Sequence, residues 1–371
     1  MKIAMLGHKR IPSREGGVEI VVEELSTRMV ALGNDVTVYN RGGKHVLNKG
    51  KVKKIQEYKG VKIKKALTID IKGLAAVTSS FFATLKILFS KAEVVHYHAE
   101  GPCAWIGIIK KLSKKRIVAT IHGLDWQRAK WGGLATKFIK YGEKQAVKYA
   151  DEIIVLSKNV QDYFKKEYDR KTVFIPNGVS KPELVKPNII KKEFKLKKDE
   201  YILFLGRTVP EKGIHYLVEA FNNIKTDKKL VIAGGASDTD EYYSELKELA
   251  KENKNIIFTG FVEGKELDEL YSNSYIYVLP SDLEGMPLSL LEAMSYGNCC
   301  LTSDIPECAT VIEKQGVTFK KSDVRDLTKK LQELCDNSKK VDKYKKESQE
   351  YILKKYNWDD VVKKTLKLYK K

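Results

Sequence analysis

The sequence predicts an α/β protein built from two parallel-sheet domains in tandem. Three observations lead there. Short apolar runs alternate with helical segments through the first half of the chain, the pattern of parallel strands covered on both faces. A second series of the same kind restarts at Tyr201. The length of 371 residues suits two cores better than one, at about 150 residues per domain.

In the first half, Lys2 to Leu6 is a short buried strand and Gly7 to Gly17 a loop. Val18, Val21, Val22, Leu25 and Met29 recur at helical spacing, so a helix is expected over Val18 to Leu32, ended by Gly33. Strands follow at Asp35 to Tyr39, Val61 to Lys64, Glu93 to His96, Arg116 to Ile121, Glu152 to Leu156 and Thr172 to Ile175. The stretch Gly73 to Ser90 has Lys86 as its single charge and has the length of a marginal membrane span. Its Ala, Thr and Ser content favours a buried or interfacial helix instead. Pro176-Asn177-Gly178 is a turn, and the Lys- and Pro-bearing stretch Lys181 to Lys198 opens a linker.

The second half repeats the opening. The strand Tyr201 to Leu205 runs into Gly206-Arg207 and a loop ending at Lys212-Gly213, and a helix follows. Further strands are Leu230 to Ala233, ahead of Gly234-Gly235, then Ile256 to Thr259, Ile276 to Leu279 and Asn298 to Thr302. Lys314 to Lys371 reads as largely helical and highly charged. The expected boundaries are 1–180 and 181–356, with 357–371 forming the last helix. In open parallel sheets ligands bind at the carboxyl ends of strands, and two such domains facing one another place a site in the cleft between them.

Composition narrows the class. The hydrophobic content of 43% belongs to an ordered globular protein. The five cysteines are odd in number and show neither a CxxC pair nor zinc-like spacing, which suits a reducing cytosol and gives no sign of a structural metal. The first apolar run, Ile3 to Leu6, is too short for a signal peptide. The net charge of +20 is uneven: residues 1–180 carry 34 Lys+Arg against 16 Asp+Glu, residues 181–371 carry 34 against 32. An excess on one half calls for an anionic partner there: a membrane surface, a lipid diphosphate or nucleic acid. The basic runs include Lys51-Val52-Lys53-Lys54, Lys62-Ile63-Lys64-Lys65, and Lys110-Lys111 with Lys114-Lys115-Arg116.

The most informative segment runs from Ser281 to Met294. A strand ends at Pro280, a loop carries Glu284 and Gly285, and a helix begins near Pro287, where proline is well tolerated. Backbone N–H groups at Leu288 and Ser289 would form an anion site at that helix start. Glu292 lies about one turn further on and can accept hydrogen bonds from ribose hydroxyls. Glu284 can face a sugar ring.

With Gly285, Pro287 and the Glu-Ala-Met sequence, this segment resembles the motif of family-4 retaining glycosyltransferases, in which seven residues separate two glutamates. The resemblance extends along most of the chain. Arg207 and Lys212, after a buried strand, match that family's diphosphate-binding pair, and two cations on one loop can neutralise a departing diphosphate. Gly16-Gly17 resembles the glycines that let the first helix approach the donor phosphate. Thr120-Ile121-His122-Gly123 resembles the strand end whose histidine contacts the donor sugar. Gly260-Phe261-Val262 resembles the loop whose backbone reads the nucleobase. Asn357-Trp358 resembles the start of the segment that crosses back to the N-terminal domain. The opening, Gly7-His8-Lys9-Arg10 to Glu15, puts four potential cations before Gly16. It is loosely similar to a bacterial subgroup of cell-surface polysaccharide enzymes that includes rhamnosyltransferases.

Two other clusters compete for attention. Asp238-Thr239-Asp240 has the form with which metal-dependent glycosyltransferases hold a cation through a diphosphate. It lies in a polar loop before a charged helix, and Asp240 as a helix N-cap is the simpler reading. His96 and His98 share one face of a strand near Glu100. Without a third ligand at supportive spacing, they read as packing or lining residues.

The resemblance implies a GT-B fold, two Rossmann-like domains facing across a cleft, and retaining transfer from a nucleotide diphosphate sugar, with UDP- or dTDP-sugars favoured. Glu284, His122, Arg207 and Lys212 would act on the reacting sugar and its diphosphate, with no metal and no other cofactor. The implied acceptor is a hydroxyl of a lipid diphosphate-linked glycan, which places the enzyme in the cytoplasm at the inner face of the membrane. A sugar-nucleotide epimerase on the same scaffold and a basic nucleic-acid-binding protein are the rival readings. The chain shows no recognisable nucleic-acid module.

Overall fold

The computed structural model describes residues 1–43, 55–71, 73–127, 132–235 and 240–370. The chain divides into two compact units, residues 1–177 with 358–371, and residues 178–357.

In the N-terminal unit the elements are β1 (Lys2–Leu6), α1 (Gly17–Ala31), β2 (Asp35–Arg41), β3 (Glu57–Tyr58), β4 (Val61–Ala66), α2 (Leu74–Leu88), β5 (Val94–His98), α3 (Ile106–Leu112), β6 (Arg116–Ile121), α4 (Gly133–Tyr149), β7 (Glu152–Val155), α5 (Lys158–Tyr168) and β8 (Val173–Phe174). The strands form one sheet in the order β3-β4-β2-β1-β5-β6-β7-β8. Among the described residues only β3–β4 pairs antiparallel. The central strands are apolar on both faces because helices cover both, as βαβ crossovers require. The core beneath α2, α3 and α4 holds Leu6, Val95, Tyr97, Ile106, Ile117 and Ile153.

The C-terminal unit contains α6 (Ile189–Glu193), β9 (Tyr201–Leu205), α7 (Ile214–Asn222), β10 (Lys229–Ala233), α8 (Asp240–Ala250), β11 (Ile256–Gly260), α9 (Lys265–Asn273), β12 (Ile276–Leu279), α10 (Leu288–Ser295), β13 (Cys299–Ser303), α11 (Pro306–Ile312), β14 (Val317–Phe319), α12 (Val324–Asp336) and α13 (Ser338–Lys355). Its sheet is wholly parallel, ordered β11-β10-β9-β12-β13-β14. The last helix, α14 (Trp358–Lys370), returns to the N-terminal unit. There Arg28 pairs with Asp359 at 2.7 Å, and the Arg116 side chain donates to the Leu368 carbonyl at 2.6 Å.

The join between units falls before Gly178 rather than after residue 180. Val179 forms a parallel bridge with Asn357 and donates its N–H to the Tyr356 carbonyl at 2.8 Å. That contact binds both connecting strands of chain to the C-terminal unit, so Asn357 belongs there and not with the last helix. The weakly charged stretch after β4 is α2, which buries Ser79, Ser80, Ala83, Thr84 and Ile87. Among the described residues no helix is long and apolar enough to cross a membrane. The run Lys51 to Lys54, and Asp238 with Thr239, lie outside the described residues. Helix α8 begins at Asp240 itself, one residue earlier than a capping role for Asp240 would have it. All five cysteines are free, and Cys103, Cys299, Cys300 and Cys308 are buried.

Candidate active site

In the C-terminal unit the carboxyl ends of β11, β10, β9 and β12 lie side by side and carry most of the residues singled out from sequence. Backbone hydrogen bonds lace these ends together. Gly206 N–H donates to the Ala233 carbonyl, Thr208 N–H to Gly235 and Gly234 N–H to Gly260. A Cβ at Gly234, where φ is +148°, would stand 1.7 Å from the Gly206 carbonyl oxygen, so only glycine lets these two loops approach. Phe261 and Val262 continue from β11. Phe261 is 48% exposed, with its Cβ facing Gly235, while Val262 is buried.

Lys212 ends a short turn, Pro210–Lys212, after β9. The next residue, Gly213, has φ +64°, and a Cβ there would lie 2.1 Å from the Pro280 carbonyl oxygen. Glycine therefore lets the Lys212 turn press against the end of β12. Asp282 N–H donates to the Glu211 carbonyl at 2.9 Å, and Tyr216 OH to Asp282 Oδ2 at 3.1 Å, fixing the two loops against each other. The result is an ion pair: Lys212 Nζ lies 2.5 Å from Glu284 Oε1, with both side chains nearly buried. Ser281 Oγ donates to the same Glu284 oxygen at 2.7 Å.

Helix α10 starts directly after this loop. Pro287 occupies the cap position without a side-chain hydrogen bond, so the Leu288 and Ser289 amides open a helix that its own side chains do not cap. Glu292 stands one turn on. Tyr271 OH reaches its Oε2 at 3.4 Å and the Ser289 carbonyl at 3.2 Å, while the Tyr271 ring stacks on Tyr296. Arg207 follows β9, half-buried. The C-terminal unit thus gathers Arg207, Lys212, Phe261, Val262, Glu284, Leu288, Ser289 and Glu292 on one edge of its sheet.

In the N-terminal unit the corresponding edge is formed by β1, β5 and β6. Gly16 precedes α1 and Gly17 begins it. A Cβ on Gly16 would meet Glu19 Oε2 at 2.4 Å, so the missing side chain makes room for this buried carboxylate. Glu19 in turn accepts the Lys9 N–H at 2.7 Å and holds the loop. His8 and Arg10, two of the four residues noted as potential cations there, are held by neighbouring side chains. His8 is buried, donates its Nε2–H to Asn40 Oδ1 at 2.8 Å, and is lowered from its ordinary pKa by burial. Arg10 pairs with Glu15 at 2.5 Å.

His122 sits just past β6, nearly buried. Its Nε2 is 3.1 Å from His98 Nδ1 at the end of β5. His96 and His98 are fully buried beside it. His96 bonds Tyr369 OH of α14 at 2.6 Å and Thr120 Oγ1 at 2.7 Å, so both ring nitrogens are taken. Among the described residues no group of three His, Cys, Asp or Glu side chains is placed to hold a metal. Glu100 completes the row. Its Oε2 accepts the Asp125 N–H at 2.8 Å, and burial, then its hydrogen bond with Glu143, raise its carboxyl well above the usual range. Glu143 is the buried hub of that corner: Trp126 Nε1 donates to it at 3.3 Å and Tyr163 OH at 2.9 Å, and Tyr168 OH also donates to it. The sequence reads His96 and His98 as packing or lining residues and does not single out Glu19, Glu143 or Tyr271. The period-two spacing of His96, His98 and Glu100 was the available signal.

Two Rossmann-like units with these loop clusters define a glycosyltransferase of the GT-B type. Residues 185–370 match the glycosyl transferases group 1 and residues 15–181 match Glycosyltransferase Family 4. The chain belongs to the group 1 glycosyl transferases, in family 4. A glycosyltransferase of Methanocaldococcus jannaschii is 26% identical over 403 residues, covering 100% of this chain and 98% of its own. The UDP-Gal:alpha-D-GlcNAc-diphosphoundecaprenol alpha-1,3-galactosyltransferase of Escherichia coli is 26% identical over 267 residues, 67% of each chain. Among solved structures, the sucrose-phosphate synthase of Thermosynechococcus elongatus superposes with a TM-score of 0.84 at 21% identity, covering 100% of this chain and 98% of the other. Anabaena HepE in complex with UDP-glucose does so with a TM-score of 0.80 at 15% identity, covering 99% and 98%.

Proposed function

We propose that the protein transfers a hexosyl group, with retention and without a metal, from a UDP- or dTDP-sugar to a hydroxyl of a lipid-linked glycan in surface polysaccharide synthesis. The observation that carries this reading is the Lys212–Glu284 pair beside the uncapped start of α10. A cation, a carboxylate and free-facing helix amides at one strand end form a place where a diphosphate and a sugar meet. The Escherichia coli relative, named for a UDP-sugar donor and a diphosphoundecaprenol acceptor, supports the choice of both substrates. HepE, whose complex holds UDP-glucose, supports the donor.

In this mechanism the bond between the sugar's anomeric carbon and the β-phosphate oxygen breaks as the acceptor oxygen attacks the same face. Arg207, Lys212 and the Leu288 and Ser289 amides stabilise the leaving diphosphate. A phosphate oxygen takes the acceptor proton, so the reaction calls for no dedicated base and no covalent nucleophile. Glu292 holds the ribose, while Glu284 and His122 orient the sugar. Gly16 and Gly17 let the start of α1 approach the donor phosphate, and the Phe261–Val262 backbone reads the base. Lys212 is neutralised by Glu284 before donor arrives, so diphosphate binding replaces one charge-assisted contact with another, and the gain grows as charge develops on the leaving group.

The basic N-terminal half belongs, in this reading, against an anionic membrane at the cytoplasmic face, where a lipid-linked acceptor stays. The test is nucleotide release from a panel of UDP-, dTDP-, GDP- and ADP-sugars, with and without a polyprenyl diphosphate glycan. Release from a UDP- or dTDP-sugar that rises severalfold with the acceptor is expected. Interconversion of the sugar without any acceptor would point to an epimerase.

A further inference from the structure

Ser281 lies just past the end of β12 and is fully buried, and its backbone is fixed from several directions. A Cβ on Gly213 would stand 2.1 Å from the Pro280 carbonyl oxygen, so the Lys212 turn presses on the residue before it. On the residue after it, Asp282 N–H donates to the Glu211 carbonyl at 2.9 Å. Tyr216 OH donates to Asp282 Oδ2 at 3.1 Å and Ser322 OH to its Oδ1 at 2.7 Å. From the neighbouring strand β13, Ser303 OH, also fully buried, donates to the Ser281 carbonyl at 2.5 Å. A buried hydroxyl is costly unless it is hydrogen-bonded, so both serines stay committed to these contacts.

The Ser281 hydroxyl therefore reaches Glu284 from a fixed point, 2.7 Å from Oε1. Lys212 reaches the same oxygen, at 2.5 Å, from the end of a long flexible stem. The two donors respond differently to a departing diphosphate. The ammonium is drawn toward the negative charge that builds on the phosphate, and its hold on Glu284 weakens as that charge grows. The hydroxyl is too short to follow and stays on Oε1. With both contacts on Oε1, the carboxylate is gripped on one side and presents Oε2 on the other.

We infer that Ser281 is a positioning residue for Glu284: it keeps the carboxylate aimed at the donor sugar while Lys212 turns from Glu284 to the leaving diphosphate. This inference rests on the proposed sugar contact of Glu284. Lys212 supplies charge where the transition state develops it, and Ser281, braced by Ser303, supplies the direction that the moving cation no longer gives. The contribution of Ser281 rises as the bond to the diphosphate breaks, which places its effect in kcat and not in nucleotide affinity.

The test is a mutant cycle in the full-length protein, read by nucleotide release from whichever sugar of the UDP-, dTDP-, GDP- and ADP-sugar panel the wild type uses fastest. Ser281→Ala should lower kcat about tenfold, the order of one lost hydrogen bond to a charged group. Its affinity for the free nucleoside diphosphate should stay within about twofold of wild type by calorimetric titration. In a Glu284→Ala background the same substitution should change kcat by less than about twofold, because no carboxylate is left to hold. Ser281→Cys, close in size but a weaker donor, should fall between Ser281→Ala and wild type, and it carries the cycle if Ser281→Ala does not fold. A wild-type kcat in Ser281→Ala overturns the inference. So does an equal loss in both backgrounds, which would make the serine a structural part of the loop. If Glu284→Ala alone releases nucleotide at the wild-type rate, the sugar contact of Glu284 fails and the inference falls with it. A slow Glu284→Ala beside a full-rate Ser281→Ala sinks the inference alone.

Discussion

Lys212 and Glu284 show at the scale of single residues how the site is prepared before any ligand arrives. Each is nearly buried, so each needs the other. Replacing Lys212 by Ala strips a charge-assisted contact from the leaving diphosphate and is expected to raise the transfer barrier by about 2–4 kcal/mol. The donor KM should change far less. Glu292→Ala is expected to do the reverse, raising the donor KM with kcat nearly kept, because a ribose contact is as strong in the ground state as in the transition state. Steady-state kinetics on both variants check the pair, and near-normal turnover in Lys212→Ala would remove it from the mechanism.

The buried imidazoles set the acid limit of the fold. Burial pushes His96 down to about 3, and lowers His98 and His8 as well. The unfolded chain takes up protons at these residues below about pH 6.5, whereas the folded protein resists until far lower. Their stabilising contribution is thus complete above pH 6.5 and is lost as the pH falls toward the folded values. Glu100, raised well above the usual range, acts in the opposite sense and binds its proton more readily in the folded state. Burial lowers His215 as well, so the lowered imidazoles outweigh Glu100 and stability should fall as the pH drops from about 6.5 to 5. Urea unfolding at pH 7.5, 6 and 5 measures this, and a flat profile contradicts it.

At the scale of elements, α4 departs most from an ordinary surface helix. Its exposed side chains are Leu134, Lys137, Lys140, Tyr141, Lys144 and Lys148, while its one acidic residue, Glu143, faces inward to Trp126, Tyr163 and Tyr168. Leu134 is 83% exposed and Tyr141 50%. Four cations flanking two apolar side chains, with no anion among them, give this face the composition that the proposed membrane contact calls for. Each lysine near an anionic leaflet contributes about 1 kcal/mol, screened by salt. Lys144→Glu with Lys148→Glu should lower sedimentation with anionic vesicles at least about tenfold. Neutral vesicles should bind neither protein well. Equal binding of wild type to both vesicle types would refute the membrane reading, and equal binding of wild type and variant to anionic ones would acquit α4.

The same scale shows which elements could be read from the chain. The central strands were plain because a parallel strand buried on both faces is an unbroken apolar run: Ile3 to Leu6, Ile202 to Leu205 and Ile276 to Leu279 leave no alternative. Two strands were missed. β3 has two residues, joined to β4 by the turn Lys59-Gly60 with both φ positive, a hairpin too short for periodicity to register. β14 has three, and Val317 and Thr318 are only half-buried at the sheet edge. Helix α2 hid its orientation. It turns Ser79, Ser80 and Thr84 inward, where Trp105 Nε1 reaches Ser80 Oγ at 3.1 Å and Thr84 Oγ1 meets Tyr97 OH, while Phe89 at its end is exposed. A hydrophobicity pattern alone would have placed it the other way round.

For the whole molecule, the distribution of charge and the absence of a demanded base lead to one further expectation. If Arg207 and Lys212 neutralise the departing diphosphate, a divalent cation is redundant. Transfer should keep its rate within about twofold in excess EDTA, well short of the several kcal/mol that a Lewis-acid cation supplies. Strict dependence on added Mg²⁺ or Mn²⁺ would bring Asp238 and Asp240 back into consideration.

The sequence by itself determined the α/β class, the strand ends that carry the proposed site, and the glutamates, cations and glycines placed on them. It could do so because buried parallel strands, helix starts and tight glycine turns are local, and their constraints fall on residues close together in the chain. Tertiary structure alone decided which of those groups meet. Lys212 and Glu284 are 72 positions apart, and they are brought together only when Gly213 lets one loop pack on Pro280. His96 is 273 positions from the Tyr369 it bonds, which no local pattern could pair. Tertiary structure also turned His8 from an apparent cation into a buried neutral ring, because burial acts on charge and is set by everything packed around it, not by the neighbours in sequence.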